Sequence, residues 1–269
     1  MGLVQRIALI DATGHLLFEE LARVAAAIDL QVKRDLSRFW PVNATVSALS
    51  SAAFLPPGVW PVYVVSETAD DSAGFHSTFH GQPIANVLEG PSWSIAASHE
   101  VMEMLVDPSG NRLVAGRAIK ASETGEVYDI HGTHEYLLEI CDPSQDPSLA
   151  YDIDGVLVSD FYTPSFFDPQ RACGARYSFS GAITHPRRVA NGGYLSWWDA
   201  TKLQMWRLDC VTYQRPKIVF TGHHLPNQSL REFVDGEMRG KANLSGGKQR
   251  HPPRNMTEMD VRLAPVGDR

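Results

Sequence analysis

Cysteine is scarce in this chain, with three residues (Cys141, Cys173 and Cys210) among 269. An odd number at unrelated spacings argues against a disulfide framework and against a four-cysteine zinc site. It points instead to a reduced, cytoplasmic setting. Long apolar runs are missing too: the longest, such as residues 59–65, fall far short of the ~20 residues needed to cross a bilayer. The first fourteen residues carry an aspartate and only a short apolar run, so neither a secretory leader nor a membrane span is expected. Excess positive charge is also absent. Twenty-four Lys and Arg stand against 31 Asp and Glu, a net charge of −7, which argues against general attraction of the chain to nucleic acid or an anionic membrane. The residues that are abundant are those of an ordinary globular protein. With 43% hydrophobic and 20% charged residues, disordered and fibrous classes are set aside, and the length allows one large domain or two coupled lobes.

The order of local signals gives a coarse architecture. Ile7–Asp11 reads as a strand ended by Ala12-Thr13-Gly14. From Leu16 to Phe39, apolar residues at Leu17, Leu21, Val24, Ala25, Ile28, Val32 and Leu36 recur every three or four positions. That spacing predicts one long amphipathic helix or two abutting ones, stopped at Trp40-Pro41. Thr45–Leu49, Val59–Val65 and Pro83–Leu88 read as strands, and Trp93–Val106 as a second helix ended by Asp107-Pro108-Ser109-Gly110-Asn111. Beyond it come shorter strands and loops: Tyr136–Cys141, Val156–Phe161 and Met205–Thr212. The predicted class is α+β. A first lobe covers residues 1–108, a second, irregular and β-rich, covers 109–235, and 236–269 reads as a basic, mobile tail. That tail is the one segment with the charge to touch nucleic acid or an acidic partner.

The second helix carries the chemistry. On a helical wheel, Ser92, His99, Glu100, Glu103 and Asp107 fall within roughly a quarter to a third of the circumference, with apolar or small residues elsewhere. A helix buried almost all round with one stripe of carboxylates is costly, because unpaired buried charge must find a partner or be neutralised. A bound cation removes the conflict. A solvent-facing stripe is the plainer alternative, but the stripe is narrow and the helix holds no Lys or Arg. His-Glu-x-x-His on a helix is the zinc-peptidase signature, its histidines holding metal and its glutamate acting as general base. Here Glu103 replaces the second histidine.

The segment Ser98–Pro108, with the later Glu139-Ile140-Cys141-Asp142, resembles a group of largely uncharacterised bacterial zincin-like metalloproteins. Their common pattern is a Ser-His-Glu-x-x-Glu…Asp-Pro helix followed by a Glu-Ile-x-Asp segment. Gly74-Phe75-His76, Val158-Ser159-Asp160-Phe161 and Gly192-Gly193-Tyr194 add to the likeness, which spans residues ~30–200. The resemblance implies a zincin-like fold: a twisted N-terminal sheet, a backing helix and a metal-binding helix after the strand that lines the substrate cleft. That strand would be Pro83–Leu88, and a peptide or protein substrate would add to its edge.

A catalytic zinc site takes three protein ligands and keeps a fourth position open. With His99 and Glu103 on one helix, the third must come from the other lobe, with Glu139 the preferred candidate and Asp142 the next. In an extended Glu135–Cys141 run, alternation directs Glu139 to one face and leaves Asp142 at the exit turn. His76, His131 and His134 are alternative ligands, each read first as a loop histidine, and Asp107 reads as a support for the site or a cap. Glu100 is the expected proton acceptor, and Tyr162, or failing that Tyr194, the expected oxyanion partner. Exchanging imidazole for carboxylate weakens zinc as a Lewis acid and opens the site to Mn²⁺, Fe²⁺ or Ca²⁺. If Glu139 and Asp142 both join Glu103, the site approaches a structural oxygen cage. Two functions follow: a metal-dependent hydrolase of the zinc-peptidase kind, or a catalytically inactive, metal-stabilised binding or scaffold protein of the same fold.

Overall fold

The computed structural model describes residues 4–68, 72–211, 215–224 and 228–234. The expected basic tail from Gly236 lies outside the described residues. Strand β1 (Gln5–Asp11) is buried on both faces. Ile7 and Leu9 point into the main core, while Ala8 and Ile10 join Val59 on the opposite face, which is why its sequence is a continuous apolar run rather than an alternating one. Helix α1 (Phe18–Arg34) follows, burying Leu21, Val24, Ala25, Ile28 and Val32. A short 3-10 turn, Leu36–Arg38, completes it, so the long helical signal resolves into two abutting pieces.

Strands β2 (Ala44–Leu49), β3 (Val59–Val65), β4 (Gly74–Phe79) and β5 (Gln82–Leu88) finish the first sheet, in the order β2-β1-β3-β5-β4. All neighbours are parallel except β4, which pairs antiparallel with β5 and forms one edge. This corrects the expected cleft strand. Residues 83–88 are hydrogen-bonded on both sides, to β3 and to β4, so no peptide can add there. The available edge belongs to β4.

Helix α2 (Trp93–Val106) packs against β5, β4 and β3. A second five-stranded sheet is built from β6 (Leu113–Ala121), β7 (Val127–Leu137), β10 (Tyr194–Asp199), β11 (Gln204–Asp209) and β12 (Lys217–His223). Its order is β12-β11-β10-β7-β6, antiparallel throughout. The chain is therefore α+β, and its second half is more regular than its sequence suggests. Between β7 and β10 an irregular stretch holds the small hairpin β8 (Tyr151–Ile153) and β9 (Val156–Val158), with 3-10 turns at Asp142–Ser144, Pro147–Leu149 and Pro164–Phe167.

This stretch is fastened to the helices by polar contacts. Ser98 Oγ donates to Gln31 Oε1 and accepts from Ser159 N, Gln31 Nε2 donates to Ser159 O and Tyr151 Oη, and Ser94 Oγ donates to Leu157 O. One core cluster runs from Ile7 to Leu208 across both sheets. A helical turn at 230–234 covers the second sheet's other face, packing Leu230, Phe233 and Val234 with Leu137, Tyr194 and Met205. Among the described residues no helix is long and apolar enough to cross a membrane.

Candidate metal centre

The polar stripe of α2 points inward. Glu100 is 3% exposed, and Glu103 and Asp107 are fully buried, so the solvent-facing alternative does not hold. Asp107 is a cap: its carboxylate accepts hydrogen bonds from Asn111 N (3.1 Å) and Arg112 N (2.8 Å), closing the chain after the helix.

Glu103 is the hub. Its Oε1 accepts from Cys141 N at 3.1 Å. Its Oε2 lies 3.2 Å from His99 Nε2, 3.0 Å from Arg231 Nη1 and 3.8 Å from His76 Nδ1. The second half of the molecule supplies two further carboxylates. β7 ends at Leu137, and residues 138–141 turn across the end of α2, so the alternation expected for Glu135–Cys141 breaks: Glu135 is exposed while Glu139 is buried. The next turn, Asp142–Ser144, buries Asp142 as well. Arg231 Nη1 lies 2.7 Å from Glu139 Oε2 and 3.2 Å from Asp142 Oδ2, and Asp142 Oδ1 is 3.4 Å from His99 Nε2. Glu139 and Asp142 thus both reach the cluster.

Two residues complete it, one an alternative ligand and the other not expected at all. His76, read from sequence as a loop histidine, sits buried on β4; its Nδ1 donates to Glu100 Oε2 at 3.0 Å and its Nε2 faces Glu139 at 3.8 Å. The run Gly74-Phe75-His76 was part of the family likeness, and that was the available signal. Arg231 lies in a stretch with no motif at all. The other histidines are elsewhere: His131 is exposed on β7, and His134 stacks on Trp197 with centroids 4.7 Å apart.

Electrostatics follow from burial. Burial opposes the charged form of His99, but the charge of Glu103 and hydrogen bonds to Asp142 and Glu103 hold its pKa well above the ordinary histidine value. For Glu103 burial is likewise outweighed, by His99 and Arg231, and its pKa is lowered. Burial wins at Glu139 and Asp142, whose pKa values rise despite Arg231 because Glu103 adds like charge. Burial, then Glu103, also pushes the Cys141 thiol well up, so it is no ready nucleophile. Four buried carboxylates face one permanent cation and two histidines.

Two buried atoms of the cluster, His76 Nε2 and Glu139 Oε1, make no hydrogen bond among the described residues, and Asp142 Oδ1 has only the long contact to His99 Nε2. Buried atoms of this kind call for a partner. Tetrahedral zinc, with bonds of about 2.0–2.2 Å, sets neighbouring ligand atoms about 3.3–3.6 Å apart, close to the 3.2 and 3.4 Å from His99 Nε2 to Glu103 and Asp142. Ligand atoms of His99, Glu103 and Cys141, and of His76, Glu103 and Glu139, also lie within 4.8 Å of one another. These buried groups can hold a metal ion.

A cavity of about 210 Å³ opens onto the cluster, with Gly74, His99, Glu100, Gln145, Tyr194 and Arg231 in its wall. Tyr162 is not in that wall. Its ring is fully buried, stacked on Phe166 at 4.4 Å, and its hydroxyl has no hydrogen-bond partner among the described residues. Burial, then the charge of Glu139, raises its pKa well above the ordinary tyrosine value. Tyr194, the second choice, lines the cavity, whereas Tyr162 lies outside its wall. No family model, curated protein or solved structure matches the chain.

Proposed function

We propose that this chain is a metal-dependent hydrolase of zincin-like architecture, closest in chemistry to a zinc peptidase. The observation that carries the reading is that His99 and Glu100 share the wall of the cavity while Glu103 lies behind them in the carboxylate cluster. A histidine and glutamate one turn apart would hold the ion, with Asp142 or Glu139 as third ligand, and the neighbouring glutamate would face the substrate. Zinc bound there would supply the Lewis acidity that polarises a scissile carbonyl; the oxygen-rich donor set also suits Mn²⁺, Fe²⁺ or Ca²⁺.

The chain's own residues would then do the following. Glu100 accepts a proton from the attacking water and delivers it to the leaving amine. His76, 3.0 Å away, orients that carboxylate through Nδ1–H. Tyr194, at the cavity wall, is placed to donate to the oxyanion. A peptide would lie along β4, whose Gly74 and Phe75 also line the cavity and whose outer edge carries no strand among the described residues.

A second reading has its own observation. Arg231 binds three of the four carboxylates, an arrangement suited to a stabilised scaffold that recognises partners without chemistry. Elemental analysis of untagged protein, with His99→Ala and Glu103→Ala beside it, tests the metal. About one zinc per chain, lost in both variants, supports the site, and metal indifferent to both sinks it. Glu100→Gln then separates the readings: it should lower hydrolysis of a peptide library by on the order of 10²–10⁴ with metal retained. No hydrolysis by the wild-type, metal-loaded chain would leave the scaffold.

A further inference from the structure

Arg231 stands where a metal held by the three carboxylates would stand. Its Nη1 is within 3.2 Å of Glu103, Glu139 and Asp142 at once. An ion bonded to those oxygens at about 2.0–2.2 Å would fall well inside contact distance of that nitrogen, and two cations cannot share one point. The backbone beneath is anchored. Arg231 N donates to Gly110 O, Leu230 N to Asn111 Oδ1, and Leu230, Phe233 and Val234 are packed on the second sheet. The side chain has somewhere to go, because it already forms part of the cavity wall.

We propose that Arg231 is a resident cation that competes with the metal for the same carboxylates, so that the protein alternates between a closed form held by the guanidinium and a loaded form in which Arg231 has swung into the cavity. The inference rests on the metal site proposed above. It gives a role to a guanidinium buried among Glu103, Glu139 and Asp142, which offsets part of their charge where no metal is bound. It also makes metal affinity a property of a residue that ligates nothing.

The test is zinc titration by calorimetry of the full chain, wild type against Arg231→Gln, Arg231→Lys and Asn111→Ala. Removing the competitor should tighten zinc binding at least about tenfold, and Arg231→Lys, which keeps a cation, should stay near wild type. Asn111→Ala leaves Arg231 in place but loosens its turn, and should also tighten binding, by less; it serves if Arg231→Gln does not fold. Zinc should raise the melting temperature of Arg231→Gln more than that of wild type. Equal affinity in all four chains overturns the proposal and leaves the metal site standing, with the ion then held on the His99, Glu103 and Cys141 side. If no chain binds zinc, the metal site itself falls and this proposal with it.

Discussion

Replacing Asp107 by alanine removes the cap that ties α2 to β6. The carboxylate is fully buried and receives two backbone N–H groups, from Asn111 at 3.1 Å and Arg112 at 2.8 Å. Each donor left unsatisfied costs about 1–3 kcal/mol. Two donors make about 2–6 kcal/mol, but Asn111 and Arg112 are themselves exposed, so water reaches part of the vacated space and the total should fall near the low end, about 2–3 kcal/mol. For a chain of this size each kcal/mol moves the melting temperature by about 2–4 °C, a drop of roughly 4–12 °C. Asp107→Asn keeps one acceptor oxygen for two donors and should lose about half as much. Urea denaturation followed by circular dichroism gives the stability, and elemental analysis of the same samples gives the metal. A loss under about 0.5 kcal/mol would refute the reasoning, as would loss of zinc at unchanged stability, which would make Asp107 a ligand rather than a cap.

Three further perturbations probe the site and its supports. A β-carbon at Gly74 would sit 2.9 Å from Glu100 Oε1 and 3.4 Å from Asn86 O; Gly74→Ala should therefore displace the end of Glu100, lowering hydrolysis about tenfold or more while stability changes by under about 1 kcal/mol. At Gly193 the added carbon meets backbone, pressing on Pro143 O and lying 2.9 Å from Asp142 O. Gly193→Ala should cost about 1–3 kcal/mol and weaken zinc binding by moving Asp142, and zinc affinity equal to wild type would count against Asp142 as a ligand. Asp11 lies outside the site. Burial opposes its charged form, but hydrogen bonds from Thr13 and Leu16 hold its pKa below the ordinary value. Its contribution is therefore present above the unfolded value near pH 4 and lost as pH falls through the folded one. Asp11→Asn should flatten the acid limb of the stability profile below about pH 4, with little change in its slope at neutral pH.

What could be read without coordinates depended on where each residue's partners lie. Val59–Val65 has the predicted bounds because its residues form an unbroken apolar run, and Trp93–Val106 because apolar residues cover every face of the helix but one polar stripe. β4 left almost none: it is an edge strand whose Ser77, Thr78 and Phe79 are partly or fully exposed, so His76 looked like a residue in a loop. β7 is partly or fully exposed along its first two thirds and ends at Leu137, short of Glu139, which is why alternation misassigned the faces of Glu135 and Glu139. His99, Glu100 and Glu103 were legible together because one turn of helix joins them. Arg231 was not, since it meets Glu103 only across 128 positions.

That separation has a consequence for the order in which the molecule is made. Glu100, Glu103, Glu139 and Asp142 are all synthesised before Arg231, and contacts this distant along the chain close late in folding. Until residue 231 has emerged and docked, the nascent protein holds four acids at the junction of its two sheets without the guanidinium that meets three of them. The last described turn of the chain thus acts as a keystone: both sheets can form ahead of it, but the interior between them is sealed only when translation has run to the end of that turn.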